Sequence, residues 1–286
     1  MPDRRDGLAY VMSPKLELAV DIAYATGRPL LLRGDPGSGK SSLAAHIARE
    51  KDARYYEHVV TSRTQAQDLL WTFDTVRRLA DAQLGRPVKD HDYVEPGVLW
   101  WAFARRSAAR HATDTESNSS RLPTHSVVLV DEIDKADPDV PNGLLTPLGS
   151  NQFKVTETAD EVRLEEGSHL VIVTTNEERE LPQAFLRRCV VVWLDHPDAD
   201  GLVAIARKHL DTYEGGMTAP DEELARELAE SVVELRKEME REASRPPSTA
   251  EFLDALRACR ELGITTSSPQ WRELRDMALV KQQSGG

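Results

Sequence analysis

The sequence predicts an α/β fold: a parallel sheet with helices on both faces, followed by a small all-helical C-terminal domain. Three observations carry this. Gly34-Asp35-Pro36-Gly37-Ser38-Gly39-Lys40-Ser41 fits the pattern G-x-x-x-x-G-K-[ST] at every position. The apolar run Pro29-Leu30-Leu31-Leu32 precedes it, and helically spaced Leu43, Ala44, Ile47 and Ala48 follow it. The runs Val127-Val128-Leu129-Val130 and Leu170-Val171-Ile172-Val173 both end in polar residues, as buried strands do at the ligand-bearing edge of a parallel sheet. Beyond Asp198 only helical patterns remain.

Taken in order, Ser13 and Pro14 open a helix as cap and first-turn residue, and Gly27 stops it. Residues 30–32 form a buried strand. The phosphate-loop pattern follows, then a helix over 41–52. Residues 57–61 read as a second strand, 63–83 as a helix and 85–96 as turn-rich. At least two of Trp71, Trp100 and Trp101 are expected to fill a core. Residues 111–124 hold hardly any apolar side chain and read as a mobile polar loop. A helix is expected over 140–148, a hairpin over 152–164 and a strand over 190–194. Helices are expected at 198–213, 221–242, 249–262 and 269–281, separated by Gly215-Gly216 and Arg245-Pro246-Pro247. Ser248 and Glu251 form a capping box, expected to matter to stability alone. The loss of strand signals near residue 197 sets a domain boundary, giving 1–197 and 198–286.

The 286 residues suffice for one large domain or for a large and a small one. Hydrophobic residues at 40% and charged residues at 29% are a globular balance. The net charge of −12 speaks against a broad electrostatic grip on duplex nucleic acid. Cys189 and Cys259 lie far apart and outside any C-x-x-C pair, which fits a reducing cytosol. Residues 1–7 are polar and do not read as a secretion signal. No apolar run reaches the about 20 residues that a membrane helix needs. A cytoplasmic protein without a membrane partner is therefore expected.

The loop pattern has a chemical logic. Its glycines let the backbone curl so that successive N–H groups converge on phosphate oxygens. Lys40 brings positive charge to the outer phosphates of a nucleotide, the Ser41 hydroxyl is suited to Mg²⁺, and the helix start adds its dipole. The candidate nucleotide-binding residues are Gly34, Asp35, Pro36, Gly37, Ser38, Gly39, Lys40, Ser41 and Ser42, and the candidate metal residues are Ser41 and Asp131. Asp131 suits the second shell of Mg²⁺. Glu132 suits a general base that polarises water for attack on a γ-phosphate. Two readings fit Asn176: a hydrogen bond to that water or phosphate, or a cap on the loop after a strand. Tyr10 and Val11 fit either surface packing or contact with a nucleotide base. Arg187-Arg188, read alone, is a solvated helix end.

The order of these features resembles the AAA+ ATPases: phosphate loop, aliphatic strand with Asp131-Glu132, strand ending in Asn176, Arg187-Arg188, then a helical lid. Within them the chain looks most like the MoxR branch, through Arg28-Pro29-Leu30-Leu31-Leu32-Arg33-Gly34-Asp35-Pro36-Gly37, Glu95-Pro96-Gly97-Val98-Leu99, Asp131-Glu132-Ile133-Asp134-Lys135-Ala136 and Leu181-Pro182-Gln183-Ala184-Phe185-Leu186-Arg187-Arg188. The resemblance spans about residues 8 to 265. It implies a P-loop NTPase core and a lid, ATP and Mg²⁺ as ligands, and hydrolysis of ATP to ADP and phosphate. It also implies a ring, most often a hexamer, that remodels a partner protein, commonly one bearing a von Willebrand factor A domain. Position by position, Lys40 and Ser41 would bind phosphate and Mg²⁺, with Asp131 and Glu132 as the acidic motif. Asn176 would be sensor 1 and Arg188 an arginine finger assisted by Arg187. Residues 72–97 would hold a helix-2 insertion facing a central pore. The usual sensor 2 arginine is missing: the matching turn reads Ser248-Thr249-Ala250-Glu251, with Arg245 the nearest candidate upstream. Cys189 stands where an aromatic residue is common. The alternative function is a nucleic-acid-associated motor or restriction subunit of the McrB type.

Overall fold

Apolar runs that cannot face water on either side set the centre of the molecule. The structure, a computed structural model, describes residues 6–241 and 244–280. Among the described residues the strands are β1 (Leu30–Arg33), β2 (Ala53–Val59), β3 (Trp71–Phe73), β4 (Val94–Pro96), β5 (Leu122–Asp131), β6 (Gln152–Lys154), β7 (Glu161–Arg163), β8 (Ser168–Thr175) and β9 (Val190–Trp193). Five of them form one sheet in the order β2-β5-β8-β1-β9, with every neighbouring pair parallel. Leu30 to Leu32, Val127 to Val130 and Leu170 to Val173 are all buried, as expected of strands covered on both faces. The helix Pro14–Thr26 packs on β1, β8 and β9, and the helix Val98–Phe103 on β2 and β5. The α/β expectation with a helical C-terminal region is met.

The chain divides into two units. One comprises Ser13–Arg33 and Ala44–Trp193 and contains the whole sheet. The other comprises Met1–Met12, Gly34–Leu43 and Leu194–Gly286. Its core joins Leu202, Leu228, Val232, Phe252 and Leu256 from the helices Ala199–Tyr213, Ala219–Arg241 and Thr249–Leu262.

Several boundaries follow pairing partners that sequence periodicity does not show. β2 begins at Ala53, ahead of the expected 57–61, because Arg54 to Val59 run in register with Ser126 to Asp131. The segment 63–83 is broken into a 3₁₀ turn (Ala66–Leu69), β3 and the helix Thr75–Gln83. β3 pairs antiparallel with β4, inside the stretch expected to be turns. Gly97 permits this: a Cβ there would lie 2.5 Å from the Leu69 carbonyl carbon. Trp71, Trp100 and Trp101 are all buried. The polar segment 111–124 is tethered. Asn118, 1% exposed, receives the Tyr55 N–H at 2.9 Å and donates to the Tyr55 carbonyl at 3.1 Å. Asp114 pairs with Arg54 and accepts from Tyr56 Oη at 3.1 Å. The expected helix over 140–148 is two short ones, Asp139–Gly143 and Leu145–Ser150. The last expected helix contracts to Trp271–Arg275 followed by a π-turn, Asp276–Val280. Glu242 and Lys281, the expected ends of two helices, lie outside the described residues.

Candidate functional site

Parallel strands deliver their last residues to one edge. The registers pair Val130 with Val173 and Arg33 with Thr175, so β5, β8 and β1 end side by side. Asp131 is the last residue of β5 and is 1% exposed. A buried carboxylate needs donors, and the Thr174 hydroxyl of β8 supplies one to its Oδ1 at 2.6 Å. The same Thr174 oxygen accepts the Glu132 N–H at 2.8 Å, so one hydroxyl orders both acids. Glu132 has φ 61° and ψ 49°, the left-handed conformation, which turns the chain sharply off the strand. Its Oε1 accepts from Asn176 Nδ2 at 3.3 Å and its Oε2 from Lys135 Nζ at 2.6 Å. That bond to Glu132 is the main reason the Lys135 ammonium titrates above its ordinary value. Asp134, 2% exposed, accepts the backbone N–H of Asn176 at 3.2 Å and of Glu178 at 2.9 Å. It thereby fixes the turn that carries Asn176.

Gly34 follows Arg33 in sequence and opens the phosphate loop. Gly34, Gly37 and Gly39 have φ of 146°, 77° and 90°. Lys40, 6% exposed, donates through Nζ to the carbonyls of Gly34 at 2.7 Å and Asp35 at 2.8 Å, closing the loop on itself. The Ser38 Oγ is buried without a hydrogen-bond partner. An orphaned hydroxyl among left-handed glycines and a lysine is the donor set a phosphate takes. The loop residues thus fit a nucleotide. Ser41 and Ser42 lie in the first turn of the helix Lys40–Glu50, and both are half-buried.

This loop has further neighbours in its own unit. A Cβ on Gly37 would lie 2.7 Å from Ser248 Oγ, and the Ala250 N–H donates to the Gly37 carbonyl at 3.3 Å. The capping box is formed: Ser248 Oγ accepts the Glu251 N–H at 3.2 Å, and Glu251 Oε2 accepts the Ser248 N–H at 2.7 Å. Arg245 is held by Glu251 at 3.4 Å. The Tyr10 ring lies 3.4 Å from where a Cβ on Gly39 would be, and burial holds its phenol well above the usual range. Val11 is 41% exposed. His196 Nε2 is 2.9 Å from Asp35 Oδ2 without hydrogen-bond alignment; burial first, then Arg236, holds the imidazole below its ordinary value. Arg236, 5% exposed, donates to the carbonyls of Pro247 at 2.9 Å and Pro197 at 2.7 Å, and burial pushes its pKa down to about 10. Arg187 and Arg188 follow the short helix Gln183–Leu186 and are exposed.

Ser248→Ala should therefore act twice. Loss of the cap should cost about 1 kcal/mol of stability. The contact with Gly37 should carry that loss into weaker nucleotide binding. Urea unfolding read beside nucleotide titration checks both, and unchanged affinity in the destabilised variant would confine Ser248 to capping.

Residues 29–189, more than half of the chain, match the AAA domain of the dynein-related subfamily. The protein belongs to this AAA family. Its members are nucleotide-hydrolysing ATPases, and the phosphate loop, the two acids and Asn176 all fall inside the matched AAA segment. The chain is also similar to the RuvB Holliday junction branch migration motor of Thermotoga maritima. Identity is 15%, covering 92% of this chain and 67% of that one, with a TM-score of 0.50. A point mutant of that protein gives 14%, the same coverage and 0.51. At these identities the likeness is one of fold. None of the helices among the described residues is long and apolar enough to cross a membrane.

Thr174, Lys135, Arg236 and His196 escape sequence reading. Thr174 reads as one more strand residue and Arg236 as one more charge on a polar helix. The register of β5 with β8 gives Thr174 its partners, the approach of residues 197 and 247 gives Arg236 its own, Lys135 reaches Glu132 through the turn after β5, and His196 lies against Asp35.

Proposed function

We propose that the protein is a Mg²⁺-dependent ATP hydrolase of the MoxR-like type. In this reading it works in the cytoplasm as a homo-oligomeric ring, a hexamer, and remodels or activates a partner protein. A partner bearing a von Willebrand factor A domain fits the resemblance. Residues 1–197 form the nucleotide-binding domain, with the insertion about 72–97, and residues 198–286 form the lid. The observation that supports hydrolysis is the hydrogen-bonded set Asp131, Thr174, Glu132 and Asn176 at the common edge of β5 and β8. The net charge of −12 makes nucleic acid the less favoured partner, and with it the McrB-type alternative.

Gly34 to Ser42 bind the triphosphate, with Lys40 neutralising the outer phosphates. Ser41 and Asp131 would hold Mg²⁺, whose charge, when bound, offsets that of the phosphate oxygens. Glu132 accepts the proton of the attacking water, which Asn176 orients. The bond from the γ-phosphorus to the β-phosphate oxygen breaks, leaving ADP and phosphate. Arg188 of a neighbouring subunit stabilises the charge that develops, with Arg187 assisting.

Lys40→Ala tests the binding half of this reading. A charge-assisted contact disappears and the phosphates are left under-neutralised. Nucleotide affinity should fall by at least about tenfold in calorimetric titration with ATP and Mg²⁺. Unchanged affinity would remove the loop from the nucleotide site.

A further inference from the structure

The geometry points to a site for a divalent transition-metal ion, Zn²⁺ by its ligand chemistry, built from His91, His111 and Asp160. One ligand atom from each lies within 4.8 Å of the other two. His91 Nδ1 is 3.3 Å and His111 Nε2 is 4.0 Å from Asp160 Oδ2. Ligands on a tetrahedral zinc ion, bound at about 2.0–2.2 Å, stand roughly 3.4 Å apart. The first separation matches, and the second closes with a shift of about half an ångström. Two imidazoles and one carboxylate select zinc and its first-row neighbours over Mg²⁺ or Ca²⁺, which take oxygen ligands.

A second observation supports the site independently. His111 Nδ1 is 3.1 Å from the His91 carbonyl oxygen. A carbonyl can only accept, so Nδ1 carries the proton. In the neutral ring this leaves the lone pair on Nε2, the nitrogen that faces Asp160. An outer hydrogen bond that fixes the tautomer is what metal-binding histidines ordinarily have. Thr158 Oγ1 orients the carboxylate by donating at 2.7 Å to Asp160 Oδ2, the same oxygen that faces both imidazoles. The indole of Trp100 lies beside the His111 ring, with 5.1 Å between centroids, and the His111 side chain is 8% exposed. The His91 side chain is 58% exposed, so water can complete the coordination.

The three ligands come from separate stretches of the sheet-containing unit. His91 lies in the 3₁₀ turn Asp90–Tyr93, and His111 follows the helix Arg105–Ala108. Asp160 lies in the connection between β6 and β7. A bound ion ties the hairpin to the 85–96 stretch, which is also held by the β3–β4 pairing, by Arg78 on Asp90 at 2.6 Å and by Tyr93 Oη on Asp81 at 3.1 Å. None of the three ligands belongs to the nucleotide site.

The test uses the untagged full chain, stripped of metal, titrated with Zn²⁺ against a chromophoric chelator and with Co²⁺ for its visible spectrum. One ion should bind per chain. The Co²⁺ spectrum should be that of nitrogen and oxygen ligands, without a thiolate charge-transfer band. His91→Ala, His111→Ala and Asp160→Asn should each weaken Zn²⁺ binding by about tenfold or more. His91 is exposed, so its variant keeps the fold, and circular dichroism verifies that for all three. Binding that survives these substitutions in folded protein, or no binding at micromolar Zn²⁺, would overturn the site.

Discussion

Glu132→Gln should bind ATP like the parent and hydrolyse it on the order of 10²-fold more slowly, or worse, the loss typical of a missing general base. The substitution is nearly isosteric. Its amide oxygen can still accept from Asn176 Nδ2, now 3.3 Å from Oε1. Its amide nitrogen would face Lys135 Nζ, a donor against a donor, where Oε2 now accepts at 2.6 Å. That pair is partly open to solvent, with side chains 27% and 40% exposed, so losing it should cost no more than about 1 kcal/mol. The left-handed backbone at Glu132 is unaffected, because its N–H bond to Thr174 belongs to the main chain. Chemistry should therefore fail while fold and binding stand. Phosphate release measured beside nucleotide titration separates the two. Turnover at the parental rate would place the base elsewhere.

The core of the fold is legible because its strands are saturated. Leu30-Leu31-Leu32, Val127-Val128-Leu129-Val130 and Leu170-Val171-Ile172-Val173 have no polar face to show, and the inside of a parallel sheet, covered on both faces, accepts such runs. The phosphate loop is legible for a different reason. Its conformation demands residue types, and Gly37, with φ 77° and Ser248 against it, tolerates no other. What is not legible depends on partners distant in sequence. Trp71-Thr72-Phe73 has too little length to declare itself a strand until Val94-Glu95-Pro96 lies beside it. Asn118 sits in a segment polar enough to look unstructured, yet both of its amide functions are spent on the Tyr55 backbone. Nothing near Arg236 in sequence betrays its burial; its Nε and Nη1 donate to carbonyls 11 and 39 residues away. The capping box shows in sequence, but its position against Gly37 does not.

Arg188→Ala should bind ATP normally and lose hydrolysis by an amount on the order of 10³-fold, the lower range for a missing arginine finger. The side chain is exposed, in the turn that ends the helix Gln183–Leu186, so truncation removes charge without disturbing packing. Cys189 beside it is buried, with Sγ 3.4 Å from the Phe185 carbonyl, and anchors that turn in the variant. Such a finger acts across an interface, where a guanidinium stabilises charge on the phosphoryl group held by the next subunit. Complementation decides this. Arg188→Ala keeps a phosphate loop and lacks the finger; Lys40→Ala keeps the finger and lacks a working loop. Each alone should be nearly inactive. Mixed in equal amounts in a head-to-tail ring, about a quarter of the interfaces unite a good loop with a good finger. Phosphate release should then rise well above the sum of the separate preparations. A tag on one variant, used to recover the other, shows that they co-assemble. A co-assembled mixture that stays inactive would mean that Arg188 does not act in trans. A parent that stays monomeric at full turnover across all concentrations would remove the ring itself.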